Sequence, residues 1–148
     1  MEAVTVPASL ESLQSIGRYV LDAAERAGLD RRRAYRLRLA VDELATNINT
    51  HGVELGAPSA VIGVSARLAD DALTIALEDS GPAYDPLQAP QPDRLDRPLE
   101  ERGIGGLGVY LAVRSVDRFE YERVDGRNRH ILTMALPSST AGAEDLKT

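Results

Sequence analysis

The chain of 148 residues contains no cysteine and only two histidines. The lack of cysteine excludes a disulfide framework, a thiolate metal site and a cysteine nucleophile, and with so few histidines we expect no zinc site. No stretch approaches the roughly 20 apolar residues of a membrane-spanning helix. The N-terminus also lacks the basic and apolar regions of a signal peptide. We therefore expect a soluble cytoplasmic protein that does not contact a membrane.

Positive charge is also scarce, because 17 Lys and Arg face 23 Asp and Glu and give a net charge of -6. Binding to nucleic acid needs clustered, uncompensated basic residues, so we expect no direct nucleic-acid partner. One local exception stands at the front of a predicted helix and comprises Arg31, Arg32, Arg33, Arg36 and Arg38. This patch is either a surface for an acidic partner or a solvated helix face.

The length and the hydrophobic periodicity predict one domain over residues 1–136, followed by a flexible tail over 137–148. The predicted elements are a strand at 4–6, helices at 9–28 and 30–52, a hairpin of strands 61–68 and 73–77, a helix at 107–115, and a hairpin of strands 119–124 and 130–136 around Asp125-Gly126. A mostly antiparallel sheet with helices on one face buries all of these apolar faces. The predicted fold class is therefore α/β, a two-layer sandwich with a mixed, mostly antiparallel sheet.

Glu43 and Asn47 are one helical turn apart and therefore lie on the same side of the second helix. They flank the apolar stripe formed by Leu37, Val41, Leu44 and Ile48. A carboxylate here can take a proton from a hydroxyl or a water, while the amide oxygen of Asn47 can coordinate Mg²⁺ and so hold the phosphates of a nucleotide. The alternative is a solvated polar face of the helix.

Asp79 ends an apolar predicted strand, and Gly81 follows two residues later. The carboxylate can accept a hydrogen bond from an exocyclic amine such as N6 of adenine, and the glycine leaves room for a flat ring. The alternative is an ordinary Asp-Ser-Gly-Pro turn, which is common in proteins.

A glycine cluster at residues 103–108 opens onto the third predicted helix. Successive glycine N–H groups and the positive end of a helix can cradle phosphates, and Arg102 can add charge at a terminal phosphate. The cluster is neither a P-loop nor a Rossmann fingerprint, so a flexible hinge is the alternative. Five of the eight prolines lie between residues 82 and 98, which predicts a long loop. We interpret residues 82–106 as a lid.

In this order, the three segments resemble the GHKL-type nucleotide-binding domains, and most closely the bacterial anti-sigma factors that are also serine kinases. Residues 42–47 with His51 and Gly52 resemble the N box of that family, residues 79–86 its first glycine box, and residues 103–108 its second. The resemblance spans nearly the whole chain. It implies the GHKL (Bergerat) ATP-binding fold, with ATP and Mg²⁺ as cofactors.

The resemblance also implies roles for individual residues. Glu43 would be the catalytic base, Asn47 the Mg²⁺ ligand, Asp79 the residue that binds adenine, and Gly81 the residue that makes space for the ring. The other implied nucleotide contacts are Arg102, Gly103, Gly105, Gly106, Leu107, Gly108 and, on the last strand, Thr133.

The implied function is that of a serine/threonine-protein kinase that phosphorylates a small anti-anti-sigma antagonist and sequesters a sigma factor or an equivalent regulator. Such proteins commonly form homodimers. Two alternatives stay open on the sequence alone. One is a non-catalytic module that binds nucleotide and sequesters a regulator, and the other is a related kinase that phosphorylates a signalling scaffold.

Overall fold

A computed structural model describes residues 1–57, 61–87 and 106–137 of the chain. Most of the predicted lid, including Arg102, Gly103 and Gly105, lies outside these ranges, as does the predicted tail beyond residue 137. The elements in chain order are β1 (Val4–Pro7), a 3-10 turn (Leu10–Ser12), α1 (Leu13–Ala27), α2 (Arg31–Glu54), β2 (Val61–Leu68), β3 (Ala72–Asp79), α3 (Gly106–Arg114), β4 (Arg118–Val124) and β5 (Arg127–Ala135). No helix in the described ranges is long and apolar enough to cross a membrane.

The five strands form one sheet in the order β1-β2-β3-β5-β4. Every strand pair in the described ranges is antiparallel, and the sheet and the helices share a single apolar core. The predicted α/β class and the mostly antiparallel sheet are therefore confirmed.

The end of α1 and the start of α2 agree with the sequence predictions, whereas the C-terminus of α2 does not. Gly28 ends α1 with a φ of 76°, and the Asp30 side chain caps α2 by accepting a 2.9 Å hydrogen bond from the Arg33 N–H, both as predicted. The predicted end of α2 at Gly52 is wrong, because Gly52 is buried within the helix, which continues to Glu54. The left-handed residue that follows this helix is instead Gly56, with a φ of 69°.

The β4–β5 hairpin begins earlier in β5 than predicted. Asp125 and Gly126 both have positive φ, 53° and 75°, as a two-residue type I′ turn requires. Because the turn is this tight, β5 starts at Arg127, three residues before the predicted residue 130. The extra residues add Asn128 to the sheet, directly opposite Asp79 of β3.

One face of the sheet packs into the core and changes character along the strands. Successive rows of paired residues across β3, β5 and β4 are Ile75-Leu132-Phe119, Leu77-His130-Tyr121 and Asp79-Asn128-Arg123. The rows pass from apolar to aromatic and then to charged and amide side chains. The sheet therefore presents a polar cluster at one end of its core face.

His130 occupies the middle of this gradient and is fully buried. Its Nε2 lies 2.7 Å from the carbonyl oxygen of Tyr84, which can only accept, so Nε2 carries the proton. In the described part of the chain Nδ1 has no hydrogen-bond partner, so protonation there would bury an unpaired N–H. Burial lowers the pKa of His130, and the Tyr84 carbonyl, Asp79 and Asp85 offset only part of that effect.

We expect the free energy of unfolding to fall as the pH drops below about 6.5, the ordinary pKa of histidine, because the unfolded chain then binds a proton that the folded chain excludes. His130→Phe removes the titrating group together with its hydrogen bond to Tyr84. The variant should be less stable than the wild type at neutral pH, and this difference should shrink as the solution is acidified. Urea denaturation at a series of pH values measures both curves. Parallel pH profiles of the two proteins would contradict the assignment.

Candidate active site

Asp79, the last residue of β3, is 2% exposed. Its Oδ2 accepts hydrogen bonds from the Gly81 N–H at 2.9 Å and from the Asn128 side-chain amide at 3.2 Å. Oδ1 is buried as well, and within the described ranges it has no partner. Buried carboxylate oxygens in folded proteins are nearly always hydrogen-bonded, so Oδ1 is suited to a donor that a ligand supplies. An exocyclic amine such as that of adenine fits this requirement.

Asn128 holds the Asp79 end of the site together, and it was not among the predicted site residues. Its Oδ1 accepts from the Tyr84 N–H, the Tyr121 hydroxyl and an Arg123 N–H, and its Nδ2 donates to Asp79 Oδ2 and to the carbonyls of Gly81 and Pro82. Arg123 also donates to the Gly81 carbonyl at 3.1 Å. These bonds fix both the Asp79 carboxylate and the backbone that follows it. Counting the strand register from the Asp125-Gly126 turn places Asn128 opposite Arg123 of β4, but its position opposite Asp79 depends on the long-range pairing of β5 with β3.

Thr133 is not part of this cluster. It is five residues beyond Asn128 on β5 and pairs with Thr74, whereas Asn128 pairs with Asp79. Side chains alternate between the two faces of a strand, so Thr133 lies on the face of the sheet opposite to Asp79. The structure therefore does not bring Thr133 to the predicted adenine end of the site.

Glu43 and Asn47 lie on α2, as predicted, and they contact one another. Asn47 is 8% exposed, and its Nδ2 donates a 3.1 Å hydrogen bond to the backbone carbonyl of Glu43. That bond orients the amide, whose other polar atom is an oxygen of the kind that hard cations prefer. The described residues contain no group of three or more His, Asp or Glu that could hold a metal by itself.

Gly108 joins the N-box residues to the start of α3. A Cβ at Gly108 would lie 3.1 Å from Glu43 Oε2, closer than a side chain normally comes. Glycine at this position lets the first turn of α3 pack against the carboxylate. Gly106 and Leu107 begin the same helix, so the positive end of α3 lies beside Glu43. The arrangement suits a phosphate group located between the two.

The neighbouring carboxylate of Asp42 is engaged elsewhere. It forms an ion pair with Arg38 at 3.5 Å, and the Arg38 guanidinium in turn lies against Gly17 of α1. Burial raises the pKa of Asp42, and the Arg38 charge opposes that shift. Of the two adjacent carboxylates, only Glu43 lies against α3.

His51 and Tyr84 connect the two halves of the site. His51 is one turn beyond Asn47 on α2, and its ring centroid is 4.9 Å from that of Tyr84. Tyr84 follows Asp79 along the chain, and its N–H and carbonyl bind Asn128 and His130. The sequence predicts no ring contact for His51. The contact between His51 and Tyr84 therefore links α2 to the loop that follows Asp79.

Comparison with known proteins identifies relatives along most of the chain. The sequence model described as the histidine kinase-like ATPase domain matches residues 6–136. The serine/threonine-protein kinase BtrW of Bordetella bronchiseptica is 35% identical over 67% of this chain and 68% of its own length. The serine-protein kinase RsbW of Halalkalibacterium halodurans is 27% identical over 83% of this chain and 76% of its own length. A chain in the crystal structure of the SiaB-SiaC complex from Pseudomonas aeruginosa has the same fold, with a TM-score of 0.54 at 16% identity over 92% of this chain and 90% of that one.

Asn128→Ala should weaken binding of adenine nucleotide by roughly tenfold or more, equivalent to about 1.4 kcal/mol, because Asp79 loses the amide that orients it. The buried groups left without a partner should also lower the free energy of unfolding by about 1–3 kcal/mol. Calorimetric titration with ADP and urea denaturation measure the two effects. Tyr121→Phe is the control, since it removes one donor to Asn128 and leaves its bond to Asp79 in place. An Asn128→Ala protein with wild-type affinity for ADP would contradict the assignment.

Proposed function

We propose how this chain acts from the family to which it belongs, the histidine kinase-like ATPase domains. Within that family it belongs with the partner-switching serine kinases of the anti-sigma factor type. It transfers the γ-phosphoryl group of ATP to a serine or threonine hydroxyl of a partner protein. The observation that carries this proposal is the Glu43 carboxylate against Gly108 at the start of α3. It supplies a base next to the place where a helix N-terminus favours phosphate.

In the proposed reaction the hydroxyl oxygen of the partner forms a bond to the γ-phosphorus, and the bond from that phosphorus to the β–γ bridging oxygen breaks. ADP leaves with the bridging oxygen, and the hydroxyl proton passes to the carboxylate of Glu43. Mg²⁺ held by Asn47 would neutralise charge on the phosphates. Asp79 and Gly81 bind and accommodate the adenine, so the protein contributes chiefly by positioning its two substrates.

The family relationship supports further parts of the proposal. The phosphoacceptor is a small anti-anti-sigma antagonist, and the chain sequesters a sigma factor, or an equivalent regulator, until the unphosphorylated antagonist displaces it. The working form is a cytoplasmic homodimer. The residues predicted to wrap the phosphates, which include Arg102, Gly103 and Gly105, complete the nucleotide site in this proposal.

Glu43→Gln should reduce phosphoryl transfer by about 10²–10⁴-fold and leave nucleotide binding intact, because it removes the base and keeps the shape of the side chain. The assay follows transfer of labelled phosphate from ATP, in the presence of Mg²⁺, to the small antagonist protein encoded beside the gene for this chain. Asp42→Asn is the matched control, since the same chemical change falls on the carboxylate that is paired with Arg38. Capture of the antagonist with no transfer by the wild type would instead favour a non-catalytic binding module.

Gly108→Ala tests the position of Glu43 without altering that residue. The added methyl group would contact Glu43 Oε2 at 3.1 Å, so the carboxylate must move by a few tenths of an ångström. We expect kcat to fall by roughly tenfold, because reactions of positioned groups are sensitive to small displacements. Gly63→Ala is the control, because a methyl group on that β2 residue meets its nearest neighbours at 4.0 Å. Equal kcat values for the two variants would contradict the role of Glu43.

A further inference from the structure

The outer face of α2 carries an exposed row of side chains that ends at Glu43. Arg32, Tyr35, Arg36 and Leu39 are spaced at i, i+3, i+4 and i+7, and Glu43 is the next residue on the same face. Tyr35 is 64% exposed and Leu39 is 42% exposed, and the two arginines are exposed as well. We call these four residues the α2 stripe.

In the described part of the chain the two arginines of the stripe form no ion pair, in contrast to Arg33 and Arg38 on the same helix. Arg33 is bound to Asp117 and to the Ala135 carbonyl, and Arg38 is paired with Asp42. Within the ranges that the structure describes, no carboxylate forms an ion pair with Arg32 or Arg36. In a chain of net charge -6, this is a local excess of positive charge on an exposed helix face.

Helix α3 adds an apolar border to the stripe. Gly108 at its start lies against Glu43, while Asp117, just after its end, binds Arg33. The two helices therefore run antiparallel, and Leu111 of α3 lies beside the part of α2 that precedes Glu43. Leu111 is 58% exposed. Paired apolar and cationic groups on one surface are suited to a protein that presents acidic and apolar side chains together.

The geometry of α2 sets the distances along this surface. At a rise of about 1.5 Å per residue, Arg36 lies roughly 10 Å and Arg32 roughly 16 Å from Glu43 along the helix axis. An extended segment covers about 3.3 Å per residue, so its acidic side chains would be about three and five residues from a hydroxyl at Glu43. On a folded partner, the same distances define an acidic patch beside the phosphoacceptor.

We propose that the α2 stripe, bordered by Leu111, docks the acidic surface of the phosphoacceptor protein and brings its hydroxyl to Glu43. The proposal rests on the kinase function proposed above and adds a docking surface and the chemistry of the partner. The surface is continuous with the site, because Glu43 belongs to the same helix face. The stripe acts on the protein substrate alone, so nucleotide binding does not depend on it.

Charge reversal separates docking from chemistry. Arg36→Glu should raise the KM for the antagonist protein encoded beside the gene by about tenfold or more, with kcat and the affinity for ADP within about twofold of the wild type. Arg67→Glu makes the same change at an exposed residue of β2, whose side chain points away from the core face, and should leave KM unchanged. Replacing an acidic residue beside the phosphoacceptor of the antagonist with lysine should restore part of the affinity of Arg36→Glu. Equal KM values for the two charge reversals would overturn the docking surface.

Direct binding keeps the two proposals distinguishable. If the wild type binds ADP but transfers no phosphate to the antagonist, the kinase function fails, and calorimetric titration of the antagonist then decides the docking surface. Weaker binding by Arg36→Glu than by Arg67→Glu would support it, and equal binding, or no binding by the wild type, would overturn it. Analytical sedimentation tests whether the α2 stripe instead binds a second copy of the chain. Self-association of the wild type that Arg36→Glu abolishes would assign the stripe to a second copy of the chain and overturn the proposal.

Discussion

The pairing of β3 with β5 is the constraint on which the Asp79 end of the site depends. Its register sets Asp79 opposite Asn128 on the face that two rows earlier carries Ile75 and Leu132. The strand pairing that builds the core therefore also places the carboxylate of Asp79 and the amide of Asn128 at the end of β3, where both are buried. A shift of β5 by one residue against β3 would move Asn128 to the face opposite Asp79 and would also expose the apolar residues of β5, so the apolar rows fix the register of the site.

Helix α2 is the second element that organises the site, because its regular spacing fixes the positions of the site residues that it carries. The buried apolar face of α2 packs into the core, and the regular helical spacing places Glu43, Asn47 and His51 one turn apart along the edge of that face. The two ends of the site meet where His51 contacts Tyr84, whose backbone is bound by Asn128 and His130. Helix α2, the strands β3, β5 and β4, and the loop that follows Asp79 thus position the polar residues of the site.

Much of this arrangement was predictable because it is encoded in local patterns. Helical periodicity, the Asp30 cap and the Asp125-Gly126 turn predicted the elements, and the spacing of Glu43 and Asn47 predicted their shared helix face. Asn128 was missed because its role arises from strand pairing, to which no local pattern refers. The position of Thr133 on the face opposite to Asp79 was not predictable for the same reason, since that face depends on the pairing of β5 with β3. Gly52 signalled a helix end that tertiary packing overrides, because the residue is buried inside α2.

The buried Asp79 Oδ1 favours a ligand that donates a hydrogen bond to it. An unsatisfied buried acceptor costs about 1–3 kcal/mol. In the described part of the chain Asp79 Oδ1 is such an acceptor, while one side-chain amide and one backbone N–H orient the other oxygen of the same carboxylate. A ligand that donates to Oδ1 removes that cost only in the folded state, so nucleotide binding and folding are linked. The preorganised carboxylate also avoids the ordering that a mobile side chain would undergo on binding. The unpaired Asp79 Oδ1 thus lowers the stability of the fold and would raise its affinity for a ligand that donates to this oxygen.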